Sequence, residues 1–290
     1  MFSLLISIMI GEIEINNIIS KMKNNDYVKT FKNMIKHNIT NQAQKQEVAV
    51  AFSGGVDSSV LSKLLKDLGY TQTCYVVGVS GCSDFKIAEL SCCEIGIKLK
   101  KIIVSEKEIS DAVEILGKIL SALYEKHKDE FLRPTLLSIS YNLPLFFVAK
   151  YAVENIVFVG QGPDELLGGY SRHSKMLFDA AVKEIAKDTN NLHFVLLQNK
   201  AIFDYFDKKC ALPYISTEIA DFCLDLLFEL KINNKTNKYL LRLLAKHLRL
   251  SNEIAFRKKK ASQYGSGMWK IVNKHLKNSS AFVCFLLACG

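Results

Sequence analysis

Residues 48–59 read VAVAFSGGVDSS, and the organisation of the whole chain follows from this stretch. Residues 48–52 are apolar and partly β-branched, which predicts a short strand buried on both faces. Residues 53–55 form a turn in which glycine allows backbone angles that other residues avoid. Residues 57–59 favour a helix N-terminus. Such a strand, turn and helix bring unpaired N–H groups and the positive end of the helix dipole to one point, which is typical of an anion site.

The composition is that of an ordinary globular protein. Of its 290 residues, 49% are hydrophobic and 23% are charged. The net charge of +9 suits an anionic ligand and equally an RNA partner. Eight cysteines without a CxxC spacing favour reduced thiols in a cytoplasmic protein over a zinc site or a disulfide framework. Two apolar segments, residues 1–10 and 281–289, are too short to span a bilayer. We expect both to pack against the body, with a membrane role the minor alternative for 1–10 and docking against a partner the alternative for 281–289.

Strand and helix patterns alternate along the first half of the chain. The predicted strands are 48–52, 74–79, 101–104 and 155–159, and amphipathic helices lie between them. A helix from Pro134 to about Glu154 should be disturbed at Pro144. We predict an α/β fold with a parallel sheet of about five strands flanked by helices. Its domain spans 48–290, with a mainly helical part from about 171, after an N-terminal helical segment at 1–47.

A second glycine-rich stretch follows the last of these predicted strands. Residues 160–170 read GQGPDELLGGY, a composition that favours a loop over a helix interior. Loops after parallel strands meet at one edge of the sheet, so Asp164 is expected to face Asp57 across a bound phosphate ligand. Two carboxylates beside phosphates predict a Mg²⁺ site. The alternative is that Asp164 and Glu165 only cap the following helix.

Two basic stretches lie near the C-terminus. Residues 256–267 read FRKKKASQYGSG, either an exposed or RNA-binding patch or a mobile loop whose lysine closes over a polyphosphate. Upstream, a helix over 237–248 places Lys238, Arg242 and Lys246 on one face. We expect that face to be solvated, with Arg242 the best candidate for reaching phosphate.

SGGVDSS resembles the pyrophosphate loop of the ATP pyrophosphatases, which split ATP into AMP and pyrophosphate. Together the three stretches resemble the synthetase domain of glutamine-dependent asparagine synthetases, from about Val48 to Gly267. GVSGCSDFKIAEL, LPYISTEI and NKYLLR resemble further segments of that family, NKYLLR its phosphate-side helix. The resemblance implies an adenine nucleotide alpha hydrolase-like fold. It also implies a cytoplasmic ligase in which ATP adenylates a small carboxylate substrate, and ammonia or another amine then displaces AMP.

The resemblance also implies roles for individual residues. Pyrophosphate would be held by one contiguous set: Ser53, Gly54, Gly55, Asp57, Ser58 and Ser59. Backbone at Phe52, Val77 and Gly160 would frame the adenosine of ATP. Asp57 and Asp164 would bind Mg²⁺, and Lys259, in the family's Arg-x-Lys position, would stabilise the adenylation transition state.

The chain departs from the family's pattern at two places. Gln161 and Pro163 stand where the family has glutamate and serine, and the resemblance places that glutamate near the attacking amine. A glutamine can orient a ligand but cannot take a proton at neutral pH, so asparagine as the product is in question. Phe2 stands where the family's glutaminase half begins with cysteine, and only 47 residues precede the first strand. We therefore expect free ammonia, a separate glutaminase subunit or a different amine.

Two other functions remain open. A tRNA-modifying relative would adenylate a base, and the +9 charge and the RKKK run favour it. The two glycine-rich loops GQGPDELLGGY and SQYGSG and the lack of an RNA-binding module count against it. The third possibility is a non-catalytic relative that only binds a nucleotide. Gln161 is compatible with such a protein, whereas the intact SGGVDSS, Asp164 and Lys259 count against it. The amide ligase is the preferred interpretation.

Overall fold

The sheet of the protein is parallel and five-stranded, as predicted. A computed structural model describes residues 24–44, 46–257 and 265–278. The strands are ordered β3-β2-β1-β4-β5, and all four pairings are parallel. Their bounds are β1 Glu47–Ala51, β2 Thr71–Gly78, β3 Lys98–Ile103, β4 Ile156–Val159 and β5 Lys209–Ala211. A separate antiparallel pair consists of β6 Ile232–Asn233 and β7 Thr236–Asn237.

Helices cover both faces of the sheet and form most of the second half. Those in the first half are α1 (24–42), α2 Val56–Asp67, α3 Ser83–Ile95, α4 Glu106–His127 and α5 Leu136–Tyr151. Those in the second half are α6 Pro163–Leu166, α7 Phe178–Asn190, α8 Leu192–Asp204, α9 Thr217–Leu224, α10 Phe228–Lys231, α11 Tyr239–His247, α12 Asn252–Ala255 and α13 Met268–Asn278. Short 3₁₀ turns lie at Glu130–Leu132 and His173–Lys175.

The strand order positions the two glycine-rich loops beside each other. β1 and β4 are neighbours, and Ala51 at the end of β1 pairs with Val159 at the end of β4. The chain leaves β1 towards β2 on one side, whereas β4 lies on the other side. Ligands of open parallel sheets bind at such a switch point, outside the carboxyl ends of the strands. Both loops therefore open into the same crevice.

Helix α1 packs into the same hydrophobic core as the sheet. Phe31, Ile35 and Ile39 are fully buried at a spacing of four residues, which places them on one helical face. This agrees with the expected N-terminal helix, although the part before residue 24 lies outside the described residues. The domain boundary at residue 47 stays a prediction.

Three features differ from the sequence-based expectations. Strand β5 and the pair β6–β7 were not located, because three- and two-residue strands are too short to show an alternating pattern. Helix α5 continues through Pro144 without a break. The loss of one backbone donor is tolerated there because Ile139, Leu143 and Phe147 are fully buried and hold the helix against the core.

The cysteines and the apolar segments bear on the remaining expectations. In the part of the chain that the structure describes, every cysteine is a free thiol, and Cys74, Cys92 and Cys223 are buried. Cys284 and Cys289 lie outside that part, as do the segments 1–10 and 281–289. Over the described ranges, no helix has both the length and the apolarity to cross a membrane.

Candidate active site

The loop after β1 has a backbone that only glycine permits. Gly54 has a φ of +71°, and a Cβ placed there would lie 2.9 Å from the backbone nitrogen of Ala88. Ser58 Oγ donates to the carbonyl of Gly55 at 3.3 Å and accepts from the N–H of Ser53 at 3.3 Å, so it ties the turn to α2. Gly55 is the N-cap of α2, and no described side chain caps this helix. Its first N–H groups are therefore available to an anion.

The loop after β4 approaches the start of α2 closely. A Cβ on Gly160 would lie 3.2 Å from the N–H nitrogen of Ser58, tighter than an ordinary van der Waals contact. Gly162 has a φ of +113° and precedes the short helix α6, which carries Asp164 in its first turn. The two loops predicted to face each other are thus in contact.

Lys238 joins the two carboxylates that the sequence analysis placed together. Its Nζ lies 2.7 Å from both Oδ1 and Oδ2 of Asp57 and 3.0 Å from Oδ1 of Asp164. The side chain is 1% exposed, so the ammonium is held in a low-dielectric setting where these attractions are strong. These three side chains carry one positive and two negative charges, and Arg242 adds a second positive charge that interacts with both carboxylates.

The expected solvated face of α11 is wrong for two of its three residues. Lys238 and Arg242 are buried, whereas Lys246 is exposed as predicted. Arg242 donates from Nε to the carbonyl of Asn237 and from Nη1 to that of Ala255, each at 2.7 Å. Burial lowers the pKa of Arg242, and the charges of Asp57 and Asp164 act in the opposite direction. Arg242 therefore serves first as a backbone clamp, and Lys238 is the cation that reaches the carboxylates.

The position of Lys238 was missed although a signal for it existed. The stretch NKYLLR was matched to a phosphate-side helix, but the four-residue spacing of three cations suggested a solvent-facing stripe. In the structure Lys238 precedes α11 with a φ of +56°, outside the helical geometry that the spacing assumes. Its backbone N–H donates to the carbonyl of Leu167 at 3.2 Å, which anchors it beside the loop after β4.

A cavity of about 860 Å³ lies between the loops and helices α5 and α8. We call one side of it the loop wall: it contains most of the predicted site residues, namely Phe52, Ser53, Gly55, Asp57, Ser58, Val77, Gly160 and Asp164, together with Lys238. Gly54 and Ser59 do not line it, and Ser59 is fully buried. Lys259 lies outside the described residues.

A second part of the lining, which we call the amide wall, contains Gln161, Tyr141, Asn142, Gln198 and Asn199. Tyr141 donates to Gln198 Oε1 at 2.9 Å, and Asn142 Nδ2 donates to the same oxygen at 3.2 Å. Asn199 Nδ2 donates to Gln161 Oε1 at 2.5 Å. Burial raises the pKa of Tyr141, so its hydroxyl stays a donor. Apart from Gln161, sequence reasoning found none of these residues, because they carry no motif.

Comparison with known proteins agrees with this geometry. The family model for asparagine synthase matches residues 31–213 and 209–281, which is most of the chain. The chain belongs to the asparagine synthase family. It is 28% identical over 278 residues to a putative glutamine-hydrolysing asparagine synthetase of Methanocaldococcus jannaschii, a match that covers 80% of this chain and 48% of that relative. The chain thus spans about half the length of this curated relative.

Solved structures that resemble this chain are more distant. An NMN synthetase of Francisella tularensis is 14% identical with a TM-score of 0.44, and the match covers 92% of each chain. An NH₃-dependent NAD synthetase of Campylobacter jejuni is 16% identical with a TM-score of 0.39, covering 92% of this chain and 91% of that one. A predicted subunit of a tRNA methyltransferase from M. jannaschii has a TM-score of 0.34 and is 19% identical, and the match covers 74% of this chain and 94% of that one.

The carboxylates of this asparagine synthase family member suit a magnesium ion. Mg²⁺ prefers oxygen ligands and is usually held by one or two carboxylates, waters and substrate phosphates. Asp57 and Asp164 meet at one ammonium on the loop wall, so they supply such a pair. Among the described residues no group of three or more His, Cys, Asp or Glu side chains is arranged to hold a metal ion. A phosphate-bound ion with two protein ligands fits this arrangement better than an all-protein cage.

Proposed function

We propose that this protein is an ATP-dependent, AMP-forming amide ligase. The observation that carries the proposal is the contact of Lys238 with Asp57 and Asp164 beside the glycine loop, on a cavity large enough for a nucleotide and an acid. A structural ion pair would not need a glycine loop with uncapped helix N–H groups next to it. An adenylating enzyme needs both, because it must hold a polyphosphate and stabilise charge on the leaving group.

In the first step a carboxylate oxygen of the acid attacks the α-phosphorus of ATP. The bond from that phosphorus to the oxygen bridging to the β-phosphorus breaks, and pyrophosphate leaves with the electron pair. The N–H groups at the start of α2 hold the departing phosphates, and the helix dipole favours their charge. The ammonium of Lys238 lies at the same wall and offsets the negative charge that develops there. In the second step an amine nitrogen attacks the acyl carbon, AMP leaves, and the nitrogen loses a proton.

A magnesium ion would be held by Asp57 and Asp164. When bound, it would supply charge neutralisation to the phosphates. Lys238 prepares this wall for the ion because it keeps the two carboxylates together before the nucleotide arrives.

Lys259 remains our proposed transition-state lysine. The described residues on either side of 258–264 support this role. Arg257 Nη1 donates to the carbonyl of Gly54 at 3.4 Å, and the carbonyl of Gly265 accepts from Ser83 Oγ at 3.3 Å. The segment that carries Lys259 therefore leaves and rejoins the described structure next to the loop after β1 and the turn after β2.

Aspartate and ammonia are the first substrates to test, although Gln161 in place of the family's glutamate leaves room for another acid or amine. A separate glutaminase subunit is a further proposed partner. The proposed setting is the cytoplasm.

The test measures exchange of labelled pyrophosphate into ATP, which reports adenylation without requiring an amine. Mg-ATP is supplied with aspartate and then with a panel of other carboxylic acids, and amide formation is followed in parallel with ammonium chloride. Acid-dependent exchange is expected. Tight ATP binding without exchange for any acid would contradict the proposal and favour the non-catalytic or the RNA-directed alternative.

A further inference from the structure

The amide wall contains two buried oxygens that no described residue satisfies, Oδ1 of Asn142 and Oδ1 of Asn199, and the second belongs to the side chain that contacts Gln161. Asn199 is 1% exposed and lines the cavity, and its Oδ1 has no hydrogen-bond partner in the described part of the chain. Its Nδ2 donates to the backbone carbonyl of Val195 at 2.8 Å and to Gln161 Oε1 at 2.5 Å. A backbone carbonyl can only accept, so the nitrogen of Asn199 must face Val195. The unsatisfied atom is therefore the oxygen, an acceptor.

A buried acceptor without a donor is costly, and native proteins retain few of them. Because Asn199 faces a cavity, the missing donor can come from a ligand that carries N–H or O–H. The neighbouring Gln161 further restricts which ligand groups can bind beside Asn199. Its Oε1 already accepts from Asn199, so its free hydrogen-bonding group is the N–H₂ end. The pair offers one oxygen acceptor and one N–H donor, and neither group is charged.

Among the reactants of an amide ligase, the amine is the one whose reacting atom carries N–H. The carboxylate of the acid has only acceptors at its reacting end and would meet the Asn199 oxygen unfavourably. The phosphates of ATP belong at the loop wall, with the helix N–H groups and Lys238. An amine that donates to Asn199 would keep its lone pair directed away from that oxygen, free for attack.

We propose that Asn199 positions the nitrogen nucleophile by accepting an N–H bond at Oδ1. Val195 and Gln161 hold the side chain of Asn199, a residue that lines the cavity, by its Nδ2 and leave Oδ1 without a donor. This inference rests on the proposed function, because it concerns the second half of that reaction. Asn199 is a binding and positioning group here, and it removes no proton.

The test separates the two half-reactions in Asn199→Ala and Asn199→Asp. Ammonium chloride is the probe for amide formation, and acid-dependent pyrophosphate exchange reports adenylation. In Asn199→Ala we expect exchange to stay within about threefold of the unmodified protein, while half-maximal amide formation needs at least about tenfold more ammonium. Asn199→Asp retains an oxygen acceptor but loses the N–H₂ group that donates to Val195 and Gln161, so we expect its ammonium requirement to rise as well.

Asn38→Ala is the matched control. Asn38 is a 9% exposed asparagine whose Nδ2 donates to the carbonyl of Pro213 at 3.0 Å, and it does not line the cavity. This control removes a buried amide of the same kind and should leave the ammonium dependence unchanged. Thermal unfolding of each variant checks that it is folded.

The outcomes distinguish this inference from the proposed function. An unchanged ammonium requirement in Asn199→Ala, with exchange intact, would overturn the role of Asn199 alone. A parallel loss of exchange and amide formation in folded Asn199→Ala would place the acid at Asn199 and also overturn it. If the unmodified protein shows no exchange with any acid, both proposals fail.

Discussion

The loop wall and the amide wall of one cavity are built in different ways. The loop wall derives mainly from two contiguous stretches, each directly after a buried central strand, and its key groups are backbone N–H and acidic side chains. The amide wall combines side chains from α5, α8 and the loop after β4, residues as far apart as Tyr141 and Asn199. A wall made from contiguous backbone tolerates little change, whereas one made from separate side chains can vary with the ligand. We therefore expect the loop wall to govern ATP chemistry and the amide wall to govern substrate choice.

The largest effect is expected for Lys238→Ala. The change leaves Asp57 and Asp164 without their shared ammonium, and it removes the positive charge that would stabilise the departing pyrophosphate. Loss of one such stabilising group costs about 10²–10³-fold in rate, so pyrophosphate exchange should fall by at least that factor. Lys246→Ala, on the exposed part of α11, is the control and should retain activity. Equal loss in both variants would show that Lys238 has no special place at the loop wall.

Gly54→Ala should break the loop wall through its backbone. An alanine at this position meets the backbone of Ala88 at 2.9 Å and must adopt a φ of +71°, a strain of about 1–3 kcal/mol or a displaced loop. We expect ATP affinity, measured by calorimetric titration, to fall at least about tenfold.

Gly81→Ala is the matched control for that change. Gly81 also has a positive φ, of +73°, but a Cβ there would meet nothing within 4 Å. It shares the backbone strain and lacks the collision. If both variants bind ATP equally well, the close approach of the loop to α3 is not needed for nucleotide binding.

Gln161→Glu tests whether the amide wall acts in the second half-reaction, and its effect on activity should be smaller than those of Lys238→Ala and Gly54→Ala. The new carboxylate can still accept from Asn199 Nδ2, and it adds a group able to take a proton from the amine. We expect amide formation at saturating acid to rise by about two- to tenfold, with pyrophosphate exchange unchanged. A change in exchange instead would place residue 161 in the first half-reaction.

The smallest expected effect is on the pH dependence of stability, and it comes from Glu108, which lines neither wall of the cavity. The backbone N–H and hydroxyl of Ser105, followed by the hydroxyl of Tyr151, lower the pKa of Glu108 to about 2. Because its pKa is lower in the folded than in the unfolded protein, Glu108 stabilises the fold at pH values above the ordinary pKa of a glutamate. That contribution is lost as the pH falls from there towards 2. Glu108 lies near the surface, so solvent screening limits the effect to about 0.5–1 kcal/mol.

Glu108→Gln tests this effect by urea unfolding at pH 6 and pH 3. The variant should be less stable than the unmodified protein at pH 6, and the gap should narrow at pH 3. Glu114→Gln, an exposed glutamate on the same helix, is the control. A gap that stays constant between the two pH values would contradict the assignment.

The sequence predicted the loop wall better than the amide wall for a physical reason. Buried strands, glycine turns and helix starts leave local signals, so the strand–loop–helix unit at residues 48–59 and the approach of Asp164 to Asp57 are both found where expected. Burial of Lys238 was not predicted, because it depends on contacts with residues far away in the chain. Asn199 and Gln198 are ordinary helix residues in sequence, and only the packing of α8 against the cavity distinguishes them.

The ammonium that Lys238 shares between two carboxylates also restricts which substitutions the loop wall can accept during evolution. Replacement of Lys238 alone leaves the carboxylates of Asp57 and Asp164 without their shared ammonium, which is costly, whereas replacement of one aspartate leaves a balanced lysine–aspartate pair. As far as charge is concerned, a loss of Lys238 should therefore require a compensating change at Asp57 or Asp164, whereas one aspartate can be lost while Lys238 stays. Double-mutant cycles should accordingly find strong non-additivity within this trio and near-additivity between it and Asn199.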